Sequence, residues 1–234
     1  KSTLMKIIFG MEVIRETGGY NGKIYFDGLA QNPKKLQSKS IFIMQEAEFQ
    51  FFTNSVWNEL KYGKKINPSL EVEMEKMLRL SGLWELRNRH PFTLSGGQMQ
   101  KLVLLLAYFS NKKIIVLDEP TAGLDPIGTV QMMELFYALN RKYNKTVLIV
   151  SHDMEQVYKY CDEVVVVEDG KIRFHDSTKK FFDNPELCRS MNILPPAFIQ
   201  MKDSLRKSGF EIPNEIDDIH SLAKEIVRQV KKHG

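Results

Sequence analysis

Leu94-Ser95-Gly96-Gly97-Gln98 stands one helix length ahead of Ile114-Ile115-Val116-Leu117-Asp118-Glu119-Pro120, and both segments point to phosphate chemistry. A serine and two glycines opening a helix expected over Gln98–Phe109 expose unpaired N–H groups at the positive end of the helix dipole, which makes an anion site. The apolar run before Asp118-Glu119 reads as a buried parallel strand, whose carboxyl end faces a ligand crevice. There Asp118 can hold magnesium while Glu119 addresses the water that attacks a γ-phosphate. A strand that simply meets an acidic turn explains the same two residues. The turn through Pro120 and Ala122-Gly123-Leu124-Asp125-Pro126 favours chemistry, because leaving a sheet does not require so specific a sequence.

Two further fragments fit the same chemistry. His152 directly follows the apolar run Val147–Val150, at the carboxyl end of another expected strand. Alone it reads as a structural histidine; beside the other motifs it reads as a γ-phosphate contact. The chain opens on Lys1-Ser2-Thr3, the tail of a phosphate loop of the form Gly-x-x-x-x-Gly-Lys-Ser/Thr. In such a loop the lysine neutralises phosphate and the hydroxyl ligates magnesium. An ordinary helix cap is the competing explanation. With no Met at position 1, an upstream segment carrying the rest of that loop is expected.

The elements that must position these residues follow from periodicity. Leu4, Ile7 and Ile8 mark an opening helix, Lys23–Gly28 a short strand and turn, and Ile41–Met44 a buried strand ending at Gln45. Glu71–Leu86 reads as an amphipathic helical insertion. Ile114–Leu117, Val147–Val150 and Val164–Val167 are continuous, largely β-branched runs expected as parallel strands between helices, hence an α/β sheet covered on its faces. After Pro185 the character changes. A helix from Pro195-Pro196 to Ser208, then Gly209 and Pro213, precedes a last helix with Ile216, Ile219, Leu222, Ile226, Val227 and Val230 on one face.

Composition narrows the class. With 234 residues and 43% apolar content the chain can bury a core, and its longest apolar stretch, around Leu102–Phe109, falls well short of the roughly 18 to 20 residues of a spanning helix. A soluble chain is expected. Cys161 and Cys188 lack metal-ligand spacing and fit a reducing compartment. The net charge of +4 is spread over scattered Lys and Arg, which supports no nucleic-acid partner.

In combination, these motifs resemble the ABC transporter ATPases over about residues 1–170. The resemblance implies a P-loop NTPase fold of the ABC ATPase kind, with a mixed, largely parallel central sheet, a small antiparallel β region and a helical signature subdomain near residues 55–110. It casts Lys1, Ser2 and Thr3 as the end of the Walker A loop, Gln45 as the Q-loop residue and Ser95, Gly96, Gly97 and Gln98 as the signature. Ile114–Glu119 becomes Walker B, Asp125 part of the D-loop and His152 the switch histidine. ATP and magnesium are implied, with Ser2, Gln45 and Asp118 near the metal and Glu119, His152 and Gln45 in catalysis. Gln45-Glu46-Ala47-Glu48-Phe49-Gln50 and the carboxy-terminal appendage look like the energy-coupling factor ATPases, which drive uptake of vitamins or metal ions. Ala47 and Lys101 depart from that subfamily's usual Pro and Arg.

The resemblance further implies a head-to-tail dimer, with an identical chain or a paralogue, in which each ATP lies between one subunit's Walker residues and the other's signature. A transmembrane coupling subunit and a substrate-binding membrane subunit would hold the ATPase at the cytoplasmic face of the cell membrane. Phe49–Trp57 is the expected docking region, core packing being its alternative. Residues 1–184 form the ATPase domain in this reading. Residues 185–234 form an appendage that either stabilises the dimer or packs on its own domain. The competing class is an ABC ATPase serving DNA repair or the ribosome. The interval from Lys1 to Asp118 is too short for chromosome-type coiled coils, and one domain rather than two disfavours ribosome-associated members.

Overall fold

The structure, a computed structural model, describes residues 2–9, 22–31, 33–43 and 51–233. Its compact units are Lys1–His152 and Asp153–Gly234.

In the first unit, α1 (Ser2–Ile8) precedes a hairpin of β1 (Ile24–Phe26) and β2 (Leu29–Gln31), paired antiparallel with Ile24 opposite Gln31. Asp27 and Gly28 turn it with φ of 52° and 72°, the geometry that matches the twist of the two arms. Next come α2 (Pro33–Lys39), β3 (Ser40–Ile43), α3 (Val56–Lys61), α4 (Pro68–Leu80), α5 (Gly96–Tyr108), β4 (Ile114–Asp118), α6 (Pro126–Tyr143) and β5 (Thr146–Val150). β3, β4 and β5 form a parallel sheet in that order, with Ile43 opposite Leu117 and Asp118 opposite Val150.

All five residues of β4 are buried, which explains why its sequence runs apolar without alternation. Side chains alternate across a strand, so Ile114 and Val116 join Phe9 of the α1 end and Leu36 of α2, whereas Ile115 and Leu117 join Leu102, Leu104 and Leu105 of α5. The helix expected over Glu71–Leu86 stops at Leu80. Gly82, at φ 73°, donates its N–H to Arg79 O, and Leu83 donates to Leu78 O, a glycine-capped end that closes the last carbonyls. Trp84–Leu86 continues as a separate 3-10 turn.

The second unit contains α7 (Met154–Tyr160), β6 (Glu163–Glu168), β7 (Lys171–Ser177), α8 (Thr178–Phe182), α9 (Pro185–Ser190), α10 (Ala197–Lys207) and α11 (Ile219–His233). Here the sequence expectation is corrected: Val164–Val167 is not a parallel strand. As part of β6 it pairs antiparallel with β7 across Asp169-Gly170, whose positive φ values make a tight hairpin turn. Val166 is buried while Val165 is 49% exposed, so this β-branched run covers a core with one face only. That core gathers Val166, Phe181, Phe182, Cys188 and Ile199.

Lys202 of α10 is buried and donates its amine to Asn214 O (3.2 Å) and Ile216 O (2.6 Å), tying α10 to the segment before α11; burial lowers its pKa. Of the apolar face expected on the last helix, Leu222 is buried while Ile219, Val227 and Val230 are exposed. No described helix is long and apolar enough to cross a membrane.

Candidate functional site

Parallel pairing brings the carboxyl ends of β4 and β5 to one edge. Asp118 ends β4, only 8% exposed, and the next residue donates its N–H to Val150 O at 2.9 Å. That residue, Glu119, has φ 50°, a left-handed backbone that costs a non-glycine residue about 1–3 kcal/mol. The conformation is held at both ends of the residue, because Glu119 O accepts the Ala122 N–H at 3.2 Å. His152, two residues beyond β5, brings its Nδ1 to 2.9 Å from Glu119 Oε1; its side chain is 86% exposed against 22% for Glu119. A neutral imidazole donating from Nδ1 presents Nε2 as an acceptor, and a protonated one presents a second N–H.

The start of α5 is built from its own sequence. Ser95 Oγ accepts the Gln98 N–H (3.4 Å), and Gln98 Oε1 accepts the Ser95 N–H (3.0 Å), a reciprocal cap that fixes the first turn of α5. Ser95 and Gly96 are exposed. Gly97 faces inward: a Cβ there would lie 3.3 Å from Gly123 O, so the glycine lets the start of α5 approach the turn that follows Glu119. Gln100 joins the same two elements, its Nε2 donating to Pro120 O at 2.9 Å.

Asp125 caps α6, its Oδ1 accepting the Gly128 N–H at 2.9 Å. A Cβ on Gly128 would fall 2.5 Å from that oxygen and 3.3 Å from Lys101 Cε, so the cap and the Lys101 stem together demand glycine. Gln100 and Gly128 went unnoticed in the sequence. Their signals were there: an amide on the inward face of an apolar helix needs a partner, and Asp125-Pro126 is a helix start.

Lys1 and Gln45 lie outside the described residues, as does the Ser2 side chain. Ser2 begins α1 and Thr3 is exposed. Met5, Ile8 and Phe9 lay the helix against Ile114 and Val116, on the strand that ends in Asp118. Among the described residues no group of three or more His, Cys, Asp or Glu gathers to hold an ion. A nearly buried single carboxylate at a strand end suits magnesium, which takes one or two carboxylates and completes its shell with phosphate and water.

The expected docking segment divides. Phe49 lies outside the described residues, Phe51 is buried edge-on against Phe92, and Trp57 packs edge-on against Trp84. Phe52 is 75% exposed and stacks on exposed Tyr62 at 6.0 Å. Both border a groove of about 840 Å³ whose walls include Phe42, Leu70 and Phe109. Beneath it, buried Glu59 accepts from the N–H of Phe52 (3.1 Å), the N–H of Thr53 (2.7 Å) and the Thr53 hydroxyl (2.8 Å).

Comparison with known proteins places this geometry. The ABC transporter family matches residues 1–122. The energy-coupling factor transporter ATP-binding protein EcfA2 of Mycoplasma capricolum is 32% identical over 99% of this chain and 83% of its own. EcfA2 of Ligilactobacillus salivarius is 34% identical over 94% and 80%. Among solved structures, cbiO1 of Clostridium perfringens, part of the ABC transporter complex cbiONQ, superposes with a TM-score of 0.64 at 26% identity, covering 86% of this chain and 82% of its own. The ATP-binding cassette MJ0796, in a dimeric post-hydrolysis state with ADP and Pi, shares the fold with a TM-score of 0.61 at 23% identity, over 76% and 80%. The chain belongs to the ABC transporter family, among the ATP-binding, ATP-hydrolysing proteins of energy-coupling factor transporters.

Proposed function

We propose that hydrolysis at this chain is carried by Glu119, which orients and deprotonates the attacking water, with His152 holding the Glu119 carboxylate and contacting the γ-phosphate. The observation that supports this most directly is the 2.9 Å approach of His152 Nδ1 to Glu119 Oε1 at the edge where β4 and β5 both end. Lys1, Ser2 and Thr3 bind the phosphates of the same nucleotide. Asp118, with Ser2 and Gln45, would hold a magnesium ion that offsets charge on the β- and γ-phosphates. Ser95, Gly96, Gly97 and Gln98, together with Asp125, complete the nucleotide site of a second subunit in a head-to-tail dimer, a reading supported by the exposure of Ser95 and Gly96.

The cargo in this reading is a vitamin or a metal ion, selected by membrane subunits and taken up from outside. The groove beside Phe52 and Tyr62 receives the transmembrane coupling subunit, which keeps the ATPase on the cytoplasmic face; its exposed aromatic pair suits an apolar partner helix. The exposed side of α11 joins the dimer contact. The decisive experiment is ATP turnover of Glu119→Gln beside ATP binding. Lost turnover with retained, ATP-dependent dimerisation is expected, and wild-type turnover would refute the assignment.

A further inference from the structure

We infer that Gln100 is a positioning residue for hydrolysis, holding the turn that carries Glu119 through the Pro120 carbonyl; the inference rests on the catalytic reading of Glu119 given above. Gln100 is 4% exposed, in a helix whose following residues, Leu102 to Leu105, are all fully buried. A primary amide is retained in such surroundings only when hydrogen-bonded, and its Nε2 donates to Pro120 O at 2.9 Å.

The turn gives that bond its leverage. Glu119 has a left-handed backbone, its N–H committed to Val150 O and its carbonyl to the Ala122 N–H. Pro120 has no N–H of its own to donate. Its carbonyl is the remaining handle, and the donor that takes it comes from α5, a different element. The close approach of Gly97 to Gly123 O brings α5 near enough for the amide to reach. The helix that opens with Ser95-Gly96-Gly97-Gln98 is thereby fastened to the turn carrying Glu119 within one chain. Loss of the amide frees the Pro120 peptide, and the Glu119 carboxylate drifts from the water it must orient. Contacts to the phosphates by other elements are left in place, so turnover falls and ATP binding does not.

The test is steady-state ATPase kinetics of the native complex carrying Gln100→Met, which keeps length and volume but has no donor, and Gln100→Leu, measured with ATP-binding stoichiometry and melting temperature. A kcat about tenfold below wild type is expected in both, with KM for ATP within about twofold and a full complement of ATP bound, a split that a merely unstable protein would not give. Should Gln100→Leu unfold early, the shape-matched Gln100→Met carries the comparison. Wild-type kcat in Gln100→Met, or a raised KM with kcat unchanged, overturns the inference. So does a fall in kcat matched by a fall in bound ATP. Glu119→Gln is run alongside. Unchanged Gln100 variants beside an inactive Glu119→Gln sink this inference alone, whereas an active Glu119→Gln sinks the catalytic reading beneath it.

Discussion

His152 Nδ1 and Glu119 Oε1 lie 2.9 Å apart, across the ends of two strands that pair Asp118 with Val150. Neither side chain reaches the other without that register, since a one-residue slip would turn both strand ends to opposite faces.

With the carboxylate proposed as the base and the imidazole as its support, the two variants should differ in degree. Glu119→Gln is expected to lower ATP turnover by about 10²–10⁴-fold, and His152→Ala by about 10–100-fold. Phosphate release measures both. Equal losses would mean that His152 does more than hold the carboxylate and touch phosphate.

Gly128→Ala drives a methyl to 2.5 Å from Asp125 Oδ1 and should cost about 1–3 kcal/mol, against about 1 kcal/mol for Asp125→Ala, which merely loses the cap. The double variant should be more stable than the sum of the two, because removing the carboxylate makes room for the methyl. Urea unfolding of the three variants reads the coupling; strict additivity would contradict the clash.

Glu59→Ala strands the N–H groups of Phe52 and Thr53 and should cost about 3 kcal/mol, with Glu59→Gln costing less because one amide oxygen still accepts. Phe52→Ala and Tyr62→Ala, at exposed positions, should leave unfolding nearly unchanged. If the groove receives a membrane subunit, these two surface variants reduce recovery of the assembled transporter without lowering the ATPase activity of the isolated subunit.

Both thiols should react slowly. Burial, helped by nearby Asp162, pushes Cys161 up to about 11, and burial raises Cys188 to about 11 as well. A raised pKa removes thiolate at neutral pH, leaving a fraction of about 10⁻³ at pH 8, and alkylation should speed up as pH climbs toward 11. Maleimide labelling of the folded protein against pH checks this; rapid labelling at pH 7 would contradict the raised pKa values.

Much of the edge where β4 and β5 end is legible in the sequence because its signals are local. Ile114–Leu117 reads as a strand buried on both faces, and the acidic pair stands at its carboxyl end. Ser95 and Gln98 cap the helix they open, three residues apart. Val164–Val167 misleads because a β-branched run looks the same in a parallel core strand and in a hairpin arm, and only the turn at Asp169-Gly170 separates the two. The Glu71–Leu86 periodicity likewise runs past the break that Gly82 makes.

By itself the sequence determined which residues are proposed to carry the chemistry and the order in which the elements bearing them occur, since motif, cap and strand signals all lie within a few residues. Tertiary structure alone decided which of them meet. It set the strand register that pairs His152 with Glu119, the left-handed backbone of Glu119, and the approach of Gly97 to Gly123 that lets Gln100 reach Pro120. It also turned Phe51 inward and Phe52 outward. Each of these depends on residues far apart in the chain being held by a shared core, and no pattern read within a short window contains that information.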